Sequence, residues 1–207
     1  RAAEGSADAA GAADEARAYF DLAKALLAPR PPLVFAVGGL SGSGKSTVAA
    51  AIAPEIGPPP GARIMSSDRV RKRLFAVPVD TRLPAECYSA TVSERVYDAM
   101  IATAGRIARL GHGVVADGVF DRSRERARIR AAAEAAGLPF RGLWLEAPPE
   151  QLLERVAGRR GDPSDATVDV VREQMARERD AVEWEVLRSE ASVDIVAERA
   201  RRLIEGA

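Results

Sequence analysis

Residues 38–47, "GGLSGSGKST", constrain the fold of this chain more than any other stretch. They follow the apolar run "LVFAV", and their glycines would weaken a helix or a strand. Gly39, four further residues, and then Gly44, Lys45 and Ser46 match the pattern G-x-x-x-x-G-K-[ST]. The strand before it and the helix "KSTVAAAIA" after it supply the context that this pattern requires. The sequence therefore predicts a phosphate-binding loop (P-loop).

The loop residues predict where ATP and a metal ion bind. Backbone N–H groups in such loops point at one anion, at the positive end of the following helix. We expect Lys45 to reach the β- and γ-phosphates of ATP, and the Ser46 hydroxyl to be a ligand of Mg²⁺. The alternative is a glycine-rich turn with an incidental lysine. The predicted nucleotide-binding residues are Gly39, Ser41, Gly42, Ser43, Gly44, Lys45, Ser46 and Thr47.

Short apolar runs alternate with longer helical stretches along the chain. Five strands separated by helices imply an α/β fold with a parallel sheet covered on both faces. The expected architecture is the three-layer sandwich of P-loop NTPases, a five-stranded parallel sheet flanked by helices, with a helical lid. The predicted strands are "LVFAVGG", "ARIMSS", "HGVVADG", "FRGLWLE" and "SVDIVA". The predicted helices are 91–110, with Thr91 and Glu94 as a capping box, 122–136, 149–160 and 168–187.

The first 30 residues differ in character from the rest. Residues 1–13 are small and low in complexity, which indicates a linker. Residues 14–28 carry apolar side chains at helical spacing until "PRPP" stops the pattern. We expect a linker and helix in residues 1–30 and one P-loop domain in residues 31–207. Because the chain begins with arginine, we also expect a further domain upstream.

Charge and cysteine content narrow the possible partners and locations. The chain has 30 basic and 30 acidic residues, so no overall field attracts it to nucleic acid or to an anionic membrane. The single cysteine, Cys87, excludes an internal disulfide and favours the cytoplasm. No apolar run approaches the length of a membrane span. Any contact with nucleic acid would have to be local.

Two absences distinguish among classes of P-loop protein. Common GTPases read guanine with an N-K-x-D loop, and this sequence contains no asparagine. Mechanical ATPases usually carry an Asp-Glu pair at a strand end, where the glutamate polarises a water, whereas Asp117 is followed here by Gly118. The sequence therefore favours transfer of a phosphoryl group to a bound acceptor over hydrolysis.

Two aspartates follow predicted strands. Asp68, in "SSDRVRKRLF", lies where open α/β sheets bind ligands, and we expect it to accept or orient the proton of an attacking hydroxyl. Its alternative role is to cap a helix that begins at Arg69. Asp117 is expected to hold a Mg²⁺-bound water or to hydrogen-bond Ser46. Its alternative role is to form a turn before Gly118.

Two arginines precede a segment suited to movement. Arg155 and Arg159 lie four residues apart on one face of a predicted helix. Residues 158–167, "GRRGDPSDAT", which include Arg159, are punctuated by glycine and proline and suit a lid. Both guanidiniums are expected to neutralise charge on the transferring phosphoryl group. The alternative is a basic helix end that faces its own dipole.

These segments together resemble the small P-loop kinases grouped with gluconate kinase, chloramphenicol phosphotransferase, zeta toxin and polynucleotide kinase. The similarity is carried by "AVGGLSGSGKST", "SSDRVRKRLF", "HGVVADGVF" and "RVAGRRGDPSDAT". The chain looks most like bacterial "predicted kinase" modules of the AAA type, often found C-terminal to an aminoglycoside-phosphotransferase-like half. The resemblance implies that Asp68 serves the acceptor hydroxyl, that Arg155 and Arg159 belong to the lid, and that residues 1–30 end such an upstream half.

The expected function is an ATP- and Mg²⁺-dependent kinase that acts on a hydroxyl of a small molecule. Residues 75–90 should line the acceptor pocket. One alternative is a 5′-hydroxyl polynucleotide kinase, which needs a basic trench past Asp68, and the basic cluster in residues 69–73 keeps it open. For most of these basic residues, however, we expect a solvated helix face. The other is a regulatory module that binds ATP without turnover. A cleft filled by Phe75, Leu83 or Tyr88 would favour that module.

Overall fold

The chain forms two compact units, Arg1–Arg30 and Pro31–Ala207. A computed structural model describes residues 2–28, 30–158, 164–177, 180–189 and 193–206. The first unit is a helix, α1 (Ala2–Leu27). Residues 2–13, for which the sequence predicts a linker, lie within this helix, because alanine, the strongest helix former, outweighs two glycines. Apolar side chains of α1, such as Tyr19, Phe20 and Leu27, are exposed.

Among the described residues, no helix is both long and apolar enough to cross a bilayer.

The second unit is built on five parallel strands, which confirms the predicted α/β fold. The strands are β1 (Val34–Gly39), β2 (Arg63–Ser66), β3 (Val114–Asp117), β4 (Phe140–Glu146) and β5 (Glu185–Arg188). Their order across the sheet is β2-β3-β1-β4-β5. Because the chain turns to opposite sides of β1, the carboxyl edge around β1 is a topological switch point, where such sheets bind ligands.

Helices cover both faces of the sheet and its carboxyl edge. They are α2 (Lys45–Ile52), α3 (Ser67–Leu74), α4 (Ala90–Arg109), α5 (Ser123–Glu134), α6 (Pro149–Ala157), α7 (Val168–Ala176) and α8 (Val193–Glu205). The predicted capping box at Thr91 and Glu94 is wrong. The Ser89 side chain caps α4 instead, by accepting a hydrogen bond from the backbone N–H of Val92.

The fifth strand lies elsewhere than predicted. Residues 192–197 were expected to form it, but α8 begins at Val193, and α7 ends at Ala176 rather than at residue 187. In α8, the buried residues Val196 and Ala200 lie four residues apart, which is helical spacing. The segment "SVDIVA" suggested a strand because it is rich in β-branched residues. The true strand is only four residues long and shows no buried run of apolar side chains.

Two apolar clusters form the core, one on each face of the sheet. On one face, side chains of α4 and α5 such as Met100 and Ile129 pack against the strands. On the other face, Ile52 of α2 and Val196 of α8 pack against Phe35 of β1. The layers are thus helix, sheet and helix, as predicted.

A tryptophan outside any strand completes the first cluster. Trp184 was expected on a helix, but it lies in the connection to β5, where its side chain is buried. Its ring covers Gly142 of β4, and a Cβ atom on Gly142 would stand 2.4 Å from the Trp184 Cγ atom. The contact requires a residue without a side chain at position 142.

Replacing Gly142 by alanine is expected to destabilise the domain. Because the new methyl group would overlap a buried ring, the free energy of unfolding should fall by about 1–3 kcal/mol, the usual penalty of overpacking. Urea denaturation measures this change. Gly105→Ala in α4 is the matched control, because the nearest atom to its new Cβ would lie at 3.5 Å. This control should be neutral or up to about 1 kcal/mol more stable, and equal losses in the two variants would contradict the packing account.

Candidate active site

Three strand ends meet beside the P-loop. Strand β3 lies between β1 and β2, with Asp117 in register with Val37 of β1 and with Ser66 of β2. Asp117 is the last residue of β3 and is 3% exposed. Asp68 follows two residues after Ser66, in the first turn of α3. The fold therefore brings the two predicted aspartates to the same edge as the loop.

The P-loop adopts a conformation that only glycine allows. Gly39 and Gly42 have φ angles of +135° and +90°. A Cβ atom on Gly39 would stand 2.5 Å from the carbonyl oxygen of Leu145, and one on Gly42 would stand 2.6 Å from that of Leu152. The loop is thus pressed against the end of β4 on one side and against α6 on the other.

The start of α2 fits a phosphate group. Among the described residues, no side chain caps this helix, and its first turn contains no acidic residue. The first N–H groups of a helix have no partner within the helix, so those of α2 are suited to bind an anion. Ser43 Oγ is buried and has no hydrogen-bond partner in the described part of the chain. Lys45 Nζ donates to the Leu40 carbonyl at 2.9 Å, which holds the ammonium group at the loop.

Oxygen atoms suited to Mg²⁺ lie at the same place. The Ser46 hydroxyl donates to Asp117 Oδ2 at 2.7 Å. One of the two roles predicted for Asp117, a hydrogen bond with Ser46, is therefore observed. Hydroxyl and carboxylate oxygens are ligands that Mg²⁺ prefers, so this pair fits the ion, which would be held mainly through Ser46 and water.

Asp68 faces several charged groups in a partly enclosed position. Burial raises the pKa of its carboxyl above the usual value, whereas a hydrogen bond from Ser164 and the charges of Lys45 and Arg71 oppose that rise. The nearby charge of Asp165 adds to it. Helix α3 begins at Ser67, and its N-cap residue is Ser66. The alternative role of Asp68, as the cap of a helix beginning at Arg69, is therefore not observed.

Two basic residues of α3 are buried, contrary to the solvated face expected for residues 69–73. Arg71 is 7% exposed and donates to the Cys87 carbonyl at 2.7 Å, with its guanidinium 4.6 Å from the Tyr88 ring centre. Lys72 is 2% exposed and pairs with Asp165 at 2.8 Å. The expectation does hold for Arg69 and Arg73, which are exposed.

Asp165 joins α3 to the predicted acceptor segment. Besides Lys72, its carboxylate accepts hydrogen bonds from the backbone N–H of Leu83 at 2.9 Å and from the Tyr88 hydroxyl at 2.5 Å. Although partial burial opposes it, these bonds hold the pKa of Asp165 below its usual value, and the carboxyl is ionised at neutral pH. Burial, together with the Asp165 carboxylate, raises the pKa of Tyr88, which keeps its proton.

The two predicted lid arginines are only partly described. Arg159 lies outside the described residues. Arg155, in α6, donates to the Gly42 carbonyl at 3.3 Å and to the Ser189 carbonyl at 2.8 Å. Its guanidinium thus braces the P-loop against the end of β5.

Helix α7 contacts the P-loop directly. The Gln174 side-chain oxygen accepts a hydrogen bond from the backbone N–H of Ser41 at 2.9 Å. Leu40 of the loop packs in an apolar cluster with Leu152 of α6 and Val171 of α7. The two helices after β4 therefore cover the loop.

Sequence reasoning missed the functional contacts of Ser164, Asp165 and Gln174. The first two lie in the predicted lid segment, but nothing local shows that they meet α3. One signal was available for Lys72, because Asp68 and Lys72 are four residues apart and so share a face of α3. No local signal marks Gln174.

Comparison with known proteins gives matches over most of the P-loop unit. The AAA domain family matches residues 34–183. An uncharacterized protein of Mycobacterium tuberculosis is 34% identical over 151 residues, which are 70% of this chain and 29% of that protein. The adenylyl-sulfate kinase of Myxococcus xanthus is 31% identical over 121 residues, 56% of this chain and 59% of that enzyme. The chain thus spans less than a third of the length of the mycobacterial relative.

Solved kinase structures share the fold. The APS kinase CysC of Mycobacterium tuberculosis, in complex with AMPPNP and APS, has a TM-score of 0.63 and 21% identity, over 86% of this chain and 99% of that one. An unliganded sugar kinase from Janibacter sp. HTCC2649 has a TM-score of 0.60 and 20% identity, over 84% and 95%. Since the family match includes the P-loop and both strand ends that carry aspartates, this chain belongs to the AAA domain family and has the P-loop kinase fold.

Proposed function

We propose that this protein is an ATP- and Mg²⁺-dependent kinase that transfers the γ-phosphoryl group to a hydroxyl of a small molecule. The observation that carries the proposal is the convergence of Lys45, Asp68 and the hydrogen-bonded pair Ser46 and Asp117 at one edge of the sheet. The family match and the kinase neighbours support it.

The transfer step assigns one task to each of these side chains. The acceptor oxygen bonds to the γ-phosphorus while the bond to the β,γ-bridging oxygen breaks, and ADP leaves. Asp68 takes the proton of the hydroxyl, and Lys45 neutralises charge that grows on the phosphoryl oxygens. When bound, Mg²⁺ would neutralise further charge on the phosphates, held through Ser46 and Asp117. Positioning and charge stabilisation supply the catalysis.

The position after Asp117 supports transfer over hydrolysis. A Cβ atom on Gly118 would stand 3.0 Å from the Tyr97 hydroxyl oxygen, which is tighter than an ordinary contact. A glutamate there would have to displace the Tyr97 hydroxyl, which accepts a hydrogen bond from the backbone N–H of Phe120. Among the described residues, the carboxylate placed to serve an acceptor is Asp68.

Arg155 and Arg159 complete the proposal as residues of the lid. Arg155 is already anchored to the P-loop through Gly42, so a movement of α6 would be transmitted to the loop. Bringing these arginines to the transferring group would shield it from water. For Arg159 this role rests on the sequence pattern alone.

A polynucleotide acceptor is less favoured than a small molecule. Arg71 and Lys72 make internal contacts, so Arg69 and Arg73 are what remains of the basic trench that the sequence suggested. A phosphate backbone needs several accessible cations. The cytoplasmic location and the upstream phosphotransferase-like domain stay predictions from the sequence.

An ATP-binding module without turnover is the second candidate. Leu83 is 9% exposed, and the Tyr88 hydroxyl is bonded to Asp165, whose charge acts on Asp68. Of the three side chains whose filling of the acceptor cleft would favour this module, Leu83 is therefore buried and Tyr88 is bonded within the protein, while Phe75 is 38% exposed. Turnover decides between the two candidates.

The test is incubation with γ-labelled ATP against two panels of acceptors. One panel holds small hydroxylated metabolites, including aminoglycosides, and the other holds 5′-hydroxyl oligonucleotides. Label in the first panel only is the expected result. Label in oligonucleotides only would make the protein a polynucleotide kinase. ATP binding without labelled product in either panel would favour the regulatory module.

Lys45→Ala is expected to lower turnover by at least ~10²-fold, the scale for loss of a preorganised charge stabiliser. The matched control is Lys24→Ala, which removes an exposed lysine of α1. The rate of label transfer to an acceptor from the first panel measures both. Unchanged turnover in the Lys45 variant would contradict the assigned role of this lysine.

Asp68→Asn is expected to bind ATP normally and to lose transfer. Asparagine keeps the size of the side chain but cannot take the hydroxyl proton. Calorimetry measures ATP binding, and label transfer measures turnover. Asp98→Asn removes an exposed carboxylate of a surface ion pair and should change neither quantity. Transfer at the wild-type rate by the Asp68 variant would remove this carboxylate from the mechanism.

A further inference from the structure

The Asp165 carboxylate, next to the candidate active site, accepts four polar contacts. Lys72 Nζ lies 2.8 Å from both oxygens of Asp165, and Oδ2 also accepts bonds from the Leu83 N–H and the Tyr88 hydroxyl. We name this group of four residues, Lys72, Leu83, Tyr88 and Asp165, the Asp165 clamp. The side chains of Lys72 and Asp165 are 2% and 9% exposed. Removing one partner of such a buried pair leaves a charge without compensation.

The clamp is aligned with Asp68 along α3. Asp68 and Lys72 are four residues apart in this helix, so they lie one turn apart on the same face. Two consecutive residues of the segment before α7 meet them. Ser164 hydrogen-bonds to Asp68, and Asp165 pairs with Lys72. The ion pair therefore holds residue 165 against α3. Because Ser164 is the adjacent residue, the pair also keeps this serine beside Asp68.

We propose that the Asp165 clamp is a positioning element, which holds Ser164 on Asp68 and so fixes the orientation of that carboxylate toward the acceptor. Lys72, Tyr88 and Asp165 are positioning residues, because they act through Ser164 and not on the reacting atoms. The catalytic meaning of the clamp rests on the proposed function of Asp68.

The Asp165 carboxylate also holds the predicted acceptor segment, residues 75–90, in place. Leu83 and Tyr88 belong to the predicted acceptor segment, and Lys72 donates in addition to the Thr81 carbonyl. One residue thus ties that segment and the segment before α7 to α3. Displacing Asp165 is expected to loosen both segments at once.

The charges around Asp68 allow a test, because a positioning role and a purely electrostatic role of Asp165 predict opposite changes in the pKa of Asp68. The charges that act on its carboxyl are those of Lys45 of α2, Arg71 of α3 and Asp165. The Asp68 charge in turn raises the pKa of Tyr88 and of Tyr97 in α4. The Ser164 bond lowers the pKa of Asp68, and the charge of Asp165 raises it by a smaller amount. If Asp165 were only a neighbouring charge, Asp165→Asn would lower that pKa. If Asp165 holds Ser164 in place, Asp165→Asn also removes the Ser164 hydrogen bond. Because that bond has the larger effect, the pKa of Asp68 rises.

The experiment is an NMR titration of the full chain with aspartate labelled with ¹³C at the carboxyl carbon, in the absence of nucleotide. The Asp68→Asn variant assigns the Asp68 resonance. Ser164→Ala and Asp165→Asn are both expected to move its titration midpoint to higher pH, and the double variant to move it no further than Ser164→Ala alone. Asp169→Asn, which removes an exposed carboxylate from the first turn of α7, is the matched control and should leave the midpoint unchanged.

A midpoint that falls or stays unchanged in Asp165→Asn overturns the proposal. If that variant does not fold, as judged by its melting curve, Tyr88→Phe replaces it, because this change removes one hydrogen bond and keeps the ring over Arg71. Tyr88→Phe is expected to raise the midpoint in the wild-type background and to have no effect in the Ser164→Ala background. Equal effects in both backgrounds, or none in either, would overturn the proposal.

This titration needs neither ATP nor an acceptor, so it separates the clamp from the proposed function. Midpoints that shift as expected in a protein that transfers no label would support the clamp and refute the kinase. Label transfer together with unchanged midpoints would refute the clamp alone. Where transfer occurs, Asp165→Asn should lower kcat while leaving the KM for ATP near its wild-type value.

Discussion

The P-loop is fixed by two close backbone contacts, and the rest of the site is arranged around them. Gly39 lies against the Leu145 carbonyl at the end of β4, and Gly42 lies against the Leu152 carbonyl in α6. A side chain at either glycine would have to displace a backbone atom, which cannot move aside as the end of a flexible side chain can. The fixed loop sets the start of α2, and α2 in turn brings Lys45 to the strand ends that carry the two aspartates.

Charge on the acceptor side is paired inside the protein, not displayed on its surface. Buried ion pairs are tolerated when additional hydrogen bonds satisfy their remaining atoms, and Asp165 meets this condition with bonds from a lysine, a tyrosine and a backbone N–H. The consequence is a defined arrangement of α3 and its two neighbouring segments around Asp68. It is also the physical reason for favouring a small acceptor, because the buried cations are not available to a phosphate backbone.

Features encoded locally could be predicted from the sequence, and features that depend on distant partners could not. The P-loop and the aspartates at two strand ends follow from a motif and from the alternation of strands and helices. The fifth strand was misplaced because β5 has no buried run of apolar side chains, whereas the valines and isoleucine of α8 suggest a strand when their helical spacing is overlooked. Lys72 was expected in solvent because its partner, Asp165, lies 93 residues away. The bond between Gln174 and the loop was likewise invisible, since 133 residues separate the two ends.

In the proposed kinase, the P-loop and Asp68 meet at the transferring phosphoryl group. A crystal structure of the protein with Mg²⁺ and a non-hydrolysable ATP analogue tests it most directly. We expect the γ-phosphate in contact with Lys45 Nζ and the metal ion beside Ser46 and Asp117. We also expect the Asp68 carboxylate to face the γ-phosphorus from the acceptor side, with room for a hydroxyl between them. An analogue bound with its γ-phosphate directed away from Asp68 would contradict the account.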